Sequence, residues 1–389
     1  MSETGLLLFA AASAIVTANA YYIHPIISLV AEYFGVSEAM IGAVPSLNQL
    51  ALALGIFFLL PLGDRFSNRM LTIIFVIGQV IALMLMAFSQ GFILFVVGST
   101  ILGFVTIAPY LLPAYVSKRV ATNRLGHANA ILTTGIIFGI LVARAGAGVI
   151  GEFIGWRAVY GIAAALMILV TVLLFIIMEQ RRERAVPTED QSYIRLIFSV
   201  FPIARQYPEI LLAGAIQGLG FGSFLAVWMG LGLHLTSPEM GYGTDTVGYL
   251  AALTIFNLFI TPRLGRWADR TGPRKARLVF AGVHLAGSTL LLFTGNSLWL
   301  LIIPLFLVNS VGPTIDVSNR MTFLNQPPSV RTRLMTIYIV FMFVGGGIAS
   351  WAGTAVYHYA HWTGSALLSL SLSALVMLFS IISYRWKGR

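Results

Sequence analysis

Twelve stretches of this sequence run apolar for about twenty residues or more, the length a helix needs to cross the hydrocarbon of a bilayer. They fall at 5–31, 39–62, 70–90, 91–116, 127–150 and 156–178, then at 208–235, 244–264, 276–296, 297–319, 332–356 and 362–384. The runs are continuous rather than alternating. That argues for helices, which satisfy their own backbone in lipid, and against a barrel with a wet lumen. Side-chain chemistry agrees: 58% of the 389 residues are hydrophobic and 10% are charged, too few charges to clothe a water-soluble surface. Numbered in order, the runs are helices 1 to 12. Ala18-Asn19-Ala20 mimics a leader cleavage site, but Glu3 and no Lys or Arg precedes the first run, so it reads as helix 1.

With the start of the chain placed inside, 22 of the 24 Lys and Arg fall on inner loops and the tail. The exceptions are Arg157, in an outer loop, and Arg144, within helix 5. This asymmetry puts both termini in the cytoplasm. It also argues against a nucleic-acid partner, because the basic residues are scattered over six short segments rather than gathered on one face. The longest inner connection, 179–207, holds EQRRER, Pro187 and TEDQ and reads as a seam between halves at 1–178 and 208–389. Its charges serve as a solvated membrane anchor or as a regulatory docking segment, and 191–205 can form a surface helix. With no Cys there is no disulfide framework and no thiolate metal site.

Loop 2–3 reads LPLGDRFSNRM and loop 8–9 reads LGRWADRTGPRKA, so Asp64, Arg65 and Arg69 recur 205 residues later as Asp269, Arg270 and Arg274. Two related halves, each of six spans, describe a known transporter architecture. Together with the long central loop, the doubled G-x-x-x-D-R-x-G-R-R-like box resembles the major facilitator superfamily. Gly265, Asp269, Arg270, Gly272 and Arg274 match the box in its second copy, and Asp64, Arg65 and Arg69 in its first. The resemblance implies an all-α membrane protein with twelve transmembrane helices in two pseudo-symmetric six-helix bundles. The stretches ANAYYIHPIISLVAEYFGVSEAMIGAVPSLNQLALALGIFFLLPLGDR and GILVARAGAGVIGEFIGWRAVY resemble the bacterial arabinose-efflux-like and multidrug proton antiporter branch. That likeness implies a monomer in the bacterial inner membrane, exporting a small drug- or sugar-like molecule against protons. Two positions depart from it: Ser99 stands where many proton-coupled members carry an Arg in helix 4, and helix 5 lacks the Gly-Pro pair.

In that family the first Asp of the box closes onto the start of helix 11 and the second onto the start of helix 5. Carried over, Asp64 meets the segment from Thr332 to Thr336, and Asp269 the segment from Asn123 to Gly126. Arg65, Arg69, Arg270 and Arg274 complete this inner gate. The physical basis is the attraction of a carboxylate to the unpaired N–H groups and positive end of a helix. A plainer alternative is a turn Asp paired with its neighbouring Arg.

Polar groups are costly in hydrocarbon, so those inside spans either line a wet central cavity or bind helices together. Candidates for contact with a substrate are Asn19, Tyr22 and His24 on helix 1, Asn48 and Gln49 on helix 2, and Arg144 on helix 5. In the second half they are Gln217, Phe221 and Trp228 on helix 7, Asn257 on helix 8 and Asn309 on helix 10. Helices 3, 6, 9 and 12, with only Gln79 and His284 between them, read as lipid-facing. Arg144 either anchors an anionic or carbonyl-bearing solute or snorkels outward to backbone carbonyls near Glu152. Titratable candidates for coupling are His24, Arg144 and Asp316. Asp316 also has a structural role open to it, pairing with Arg320 four residues on, and His24 could instead serve as a hinge-side hydrogen bonder beside Pro25. His358 and His361 are spaced to share a metal, or else sit at the interface with Tyr357, Tyr359 and Trp362. Gly135, Gly139 and Gly345 to Gly347 permit close helix approach.

Neither a nucleophile with its base nor a metal cluster nor a phosphate-cradling box is present, so an enzyme or an ATP-driven pump is not indicated, and no cofactor is implied. An importer of an organic, even anionic, solute uses the same fold. A non-transporting receptor would leave the doubled box without a purpose. Asp64→Asn is expected to lower transport at normal expression; full transport by a normally expressed variant refutes the inner gate.

Overall fold

A proline inside a membrane helix removes one donor and strands the carbonyl four residues before it, and in this chain the prolines decide where several helices break. The computed structural model describes residues 2–121, 124–179, 193–324 and 326–385. Helix 1 runs Glu3–Ala18, unwinds through a turn and resumes as Ile23–Phe34. Pro25 frees the Tyr21 carbonyl, which accepts instead from the His24 N–H at 3.3 Å. Helix 4 runs Phe92–Val105 and Ala108–Ser117. There Pro109 frees the Val105 carbonyl, which accepts from the Ile107 N–H at 2.8 Å and from the Gln79 amide of helix 3 at 3.4 Å. Helix 10, Leu298–Leu324, carries Pro313, and the Asn309 carbonyl that it frees accepts from the Asn257 amide of helix 8 at 3.0 Å. Val105 and Asn309 lie in corresponding helices of the two halves, 4 and 10, and in each a side-chain amide meets a carbonyl that a proline has freed.

The remaining spans are helix 2 (Glu38–Ile41 and Ala43–Leu59, ending in the 3₁₀ turn Leu60–Asp64), helix 3 (Asn68–Ala87), helix 5 (Leu125–Phe153) and helix 6 (Trp156–Ile177). After them come helix 7 (Glu209–Leu235), helix 8 (Thr244–Ala252, a 3₁₀ turn Leu253–Phe256, then Asn257–Thr271) and helix 9 (Pro273–Thr294). Helices 11 and 12 form one run, Pro328–Arg385, broken at Ala360 and at His361, whose φ is 47°. Twelve spans in two six-helix bundles follow among the described residues. Of the linker expected at 179–207, residues 180–192 lie outside the described residues, and the rest holds the short helices Tyr193–Phe198 and Val200–Gln206. Leu169, Val172 and Ile176 of helix 6 stand 64%, 54% and 73% exposed, an apolar stripe suited to lipid.

The face carrying loops 2–3 and 8–9 is termed the basic face. On the opposite face the bundles meet through small residues. A Cβ at Gly148 of helix 5 would lie 2.5 Å from the Thr244 carbonyl oxygen of helix 8, and one at Gly232 of helix 7 would lie 2.8 Å from the His24 carbonyl oxygen of helix 1. Gly347 of helix 11 backs onto Ser46 and Leu50 of helix 2. Towards the basic face helix 8 parts from helix 5, and its second segment packs chiefly on helices 9 and 10.

Within a bundle, Gly103 of helix 4 lies against the Asn48 backbone, where an added Cβ would overlap the Asn48 carbonyl. Gly103→Val is therefore expected to destabilise by about 1–3 kcal/mol, read as a lower thermal midpoint in detergent. Gly146→Ala, whose Cβ meets nothing within 4 Å, should leave the midpoint unchanged. Equal midpoints for both variants would show that this crossing is looser than described.

Candidate substrate and coupling site

Arg144 is 2% exposed, and it neither snorkels outward nor pairs with an acid among the described residues. Its Nη2 lies 2.8 Å from Nδ1 of His24, a residue that is itself 0% exposed. The guanidinium carbon sits 5.3 Å from the ring centre of Tyr21, 4.5 Å from that of Phe224 and 4.8 Å from that of Trp228. His24 and Tyr21 come from the first bundle, Phe224 and Trp228 from the second. A guanidinium costs about 2.5–3.5 kcal/mol at the centre of a membrane helix. Each desolvated contact with an aromatic face returns about 2 kcal/mol, so the burial is tolerable only while the bundles stay together.

The unwinding of helix 1 puts Tyr21 and His24 here. Since a guanidinium cannot accept, His24 Nδ1 must be the acceptor of this hydrogen bond and cannot carry a proton while the bond stands. His24 Nε2 and Arg144 Nε have no partner among the described residues. From Trp228 the polar chain continues: its Nε1 donates to Asn309 Oδ1 at 3.1 Å, and Asn257 donates to the Asn309 carbonyl. The structure thus brings together His24, Arg144, Trp228, Asn309 and Asn257. Phe221 lies beside them, stacked on Phe224 with ring centres 6.0 Å apart.

A second cluster lies nearer the basic face. Asp316 Oδ1 accepts from Arg320 Nε at 2.8 Å and from Tyr338 Oη at 2.6 Å. The side chains of Asp316 and Arg320 keep 25% and 31% of their surface exposed. Tyr338 itself is sealed and lends Asp316 a hydroxyl from helix 11.

Other expected lining residues are engaged within one bundle. The Asn19 amide donates to Gln79 Oε1 at 2.8 Å, so Gln79 ties the break in helix 1 to the break in helix 4. The Asn48 amide donates to the Ser99 carbonyl at 2.8 Å. Gln217 accepts from Asn319 at 3.5 Å, and Asn319 Oδ1 in turn accepts from Arg277 at 2.7 Å. Arg277, counted by sequence among the loop cations, is fully buried and also meets Ser383. Tyr22 and Gln49 are buried. Helices 3 and 9 are not purely lipid-facing: Gln79 and His284 are buried, His284 against Ser373 at 2.8 Å. Pro109 is the sequence signal for Gln79, since it deprives the Val105 carbonyl of its helical donor.

At the basic face, Arg69 donates to the Phe175 carbonyl at the end of helix 6 at 3.0 Å, and Arg274 pairs with Glu209 at the start of helix 7 at 2.8 Å. Arg65, Asp269 and Arg270 are exposed. The side chain of Asp64 and all of Asn123 lie outside what the structure describes, and the start of helix 5 instead has Arg124 and His127 against Glu3. His358 and His361 share no metal cluster among the described residues. His361 sits in the break before helix 12, and His358 Nδ1 lies 2.8 Å from Glu38 of helix 2.

Comparison with known proteins places this geometry. The uncharacterized transporter YgaY of Escherichia coli O157:H7 is 24% identical over 97% of this chain and 95% of its own length. The multidrug resistance protein MdtG of Escherichia fergusonii is 22% identical over 94% of this chain and 89% of its own. The crystal structure of a D-xylose-proton symporter superposes with a TM-score of 0.77 at 15% identity, covering 100% of this chain and 98% of the symporter. The family profile matches residues 9–326, and the chain is a multi-pass membrane transporter belonging to the Major Facilitator Superfamily.

Proposed function

We propose that the chain exports a small organic molecule by alternating access in exchange for protons, with its basic face and both termini in the cytoplasm of a bacterial inner-membrane system. The halves 1–178 and 208–389 move as units about the 179–207 linker, within a single copy of the chain. The observation that carries this reading is the Arg144 guanidinium of one bundle held between His24 of its own bundle and Phe224 and Trp228 of the other. A proton that takes the His24 Nδ1 lone pair removes the acceptor and sets a second positive charge beside Arg144. The pair then repels and Arg144 leaves the aromatic faces, so a proton taken up from the opposite face stabilises the state open on that face. The exchange is completed when the protonated carrier returns to the basic face and releases the proton there. Cargo entering from the basic face would meet Phe221 and the Asp316, Arg320 and Tyr338 cluster first. The name of the multidrug resistance relative supports the outward direction, and that of the symporter neighbour supports proton use.

A second reading, import of an anionic solute, is favoured by one observation: Arg144 has no acidic partner among the described residues, so a carboxylate on the cargo would supply its counter-charge.

In proteoliposomes loaded with a pH-sensitive dye, a panel of aromatic drugs, sugars and organic acids should include compounds that drive proton movement opposite to their own. Arg144→Gln should slow that movement by about tenfold or more, the scale of losing one buried charge-assisted contact. Co-movement of protons with organic acids alone would favour the importer, and proton flux unaffected by every compound and by the variant would refute both readings.

A further inference from the structure

The doubled box concerns the basic face, yet the bundles are clasped at the other end, by residues outside that box. Glu152 stands at the end of helix 5, on the opposite face. Its Oε2 accepts from the Thr244 backbone N–H at 2.8 Å and from Thr244 Oγ1 at 3.1 Å, while that hydroxyl also reaches the Gly148 carbonyl at 2.9 Å. Thr244 opens the first segment of helix 8, and its N–H is one of the orphan donors of that helix end. The carboxylate therefore occupies the positive end of helix 8. The backbones around it are as close as glycine permits, since a Cβ at Gly248 would lie 2.8 Å from the Ala145 carbonyl oxygen and one at Gly243 would lie 2.7 Å from the Glu152 carboxyl. Asp245, the other acid here, does not compete, because it accepts from its neighbour Thr246 at 2.7 Å. Across the same face Glu38 of helix 2 meets His358 of helix 11.

We propose that Glu152 is a positioning residue for transport: a carboxylate latch on the N-terminus of helix 8 that holds the opposite face shut, the counterpart on that face of the box carboxylates. The helix pairs concerned are those that the box resemblance implies for the basic face, 5 with 8 and 2 with 11, so closure at one end competes with closure at the other. Breaking the Glu152 latch shifts the protein towards the state open on the opposite face. This inference rests on the alternating-access reading, but its test needs neither cargo nor a proton gradient, so the two fail separately.

Because the chain has no Cys, single-cysteine reporters need no background removal. Thr354→Cys places a thiol against Gly42, between helices 11 and 2 on the opposite face. Gly126→Cys places one at the start of helix 5 on the basic face, where a Cβ meets nothing within 4 Å. In detergent, with a polar maleimide, Glu152→Gln should speed labelling at 354 about five- to thirtyfold, the effect of removing the charge from this contact while an acceptor remains, and slow labelling at 126. Thr244→Val keeps the carboxylate and the helix N–H but removes the hydroxyl, so it should act in the same direction more weakly, and it serves if Glu152→Gln does not fold. Unchanged rates at 354 in both variants overturn the latch. Faster labelling at 354 with no slowing at 126 also overturns it, because Glu152 would then be a local clasp and not a selector of state.

Discussion

A guanidinium buried in a bilayer has to be given partners, and the partners of Arg144 belong to both halves of the molecule. From this several features follow. The first bundle must present His24 and Tyr21, which requires helix 1 to unwind at Asn19–Tyr22, and Pro25 enforces that break. The second must present Phe224 and Trp228, with the indole N–H tied to Asn309. The halves must also come within glycine distance, which Gly148, Gly232 and Gly347 allow. The most expensive side chain in the membrane is thus comfortable only in one arrangement of the bundles, and a group whose comfort depends on conformation is what a coupled carrier needs.

Backbone satisfaction imposes a second constraint, and it governs most of the polar residues inside the spans. The Val105 and Asn309 carbonyls are freed by prolines in corresponding helices of the two halves, and each is met by a side-chain amide, Gln79 from helix 3 beside the Ile107 N–H in one half and Asn257 from helix 8 in the other. The fold repeats the problem and solves it with different helices. In the second half the donor is Asn257, part of the chain that leads through Asn309 to Trp228 and Arg144, whereas in the first it is Gln79, which looks inward to Asn19. The site is accordingly lopsided although the scaffold is duplicated.

Span number, the sidedness of charge and the doubled Asp-Arg box were legible in the sequence because length, hydropathy and repetition are read without knowing how helices rotate. The rotational phase of each helix was not legible. Asn19 and Asn48, chosen as cavity residues by type, turn to Gln79 and Ser99 within their own bundle, since a polar group in lipid is equally well served by a neighbouring helix. Arg277 reads as one more loop cation but lies one turn inside helix 9, buried against Asn319. Arg144 stood out by its cost. Its aromatic enclosure was half legible: Trp228 stood among the candidates on helix 7, whereas Tyr21 and Phe224 are two of many aromatics on apolar faces. Glu152 gave no sign at all: a lone acid at a helix end is ordinary until Thr244 is seen beneath it.

The account stands or falls on the two bundles exchanging closure between faces when the pair of His24 and Arg144 is protonated. The direct measurement is of spin-label distances between helices 5 and 8 at both ends, from labels at the exposed residues Phe153 and Tyr249 on the opposite face and Gly126 and Arg270 on the basic face, as pH is lowered. The account predicts that the first distance lengthens while the second shortens, and that both stay fixed in Arg144→Gln. Distances that ignore pH, or that lengthen together at both ends, would contradict it.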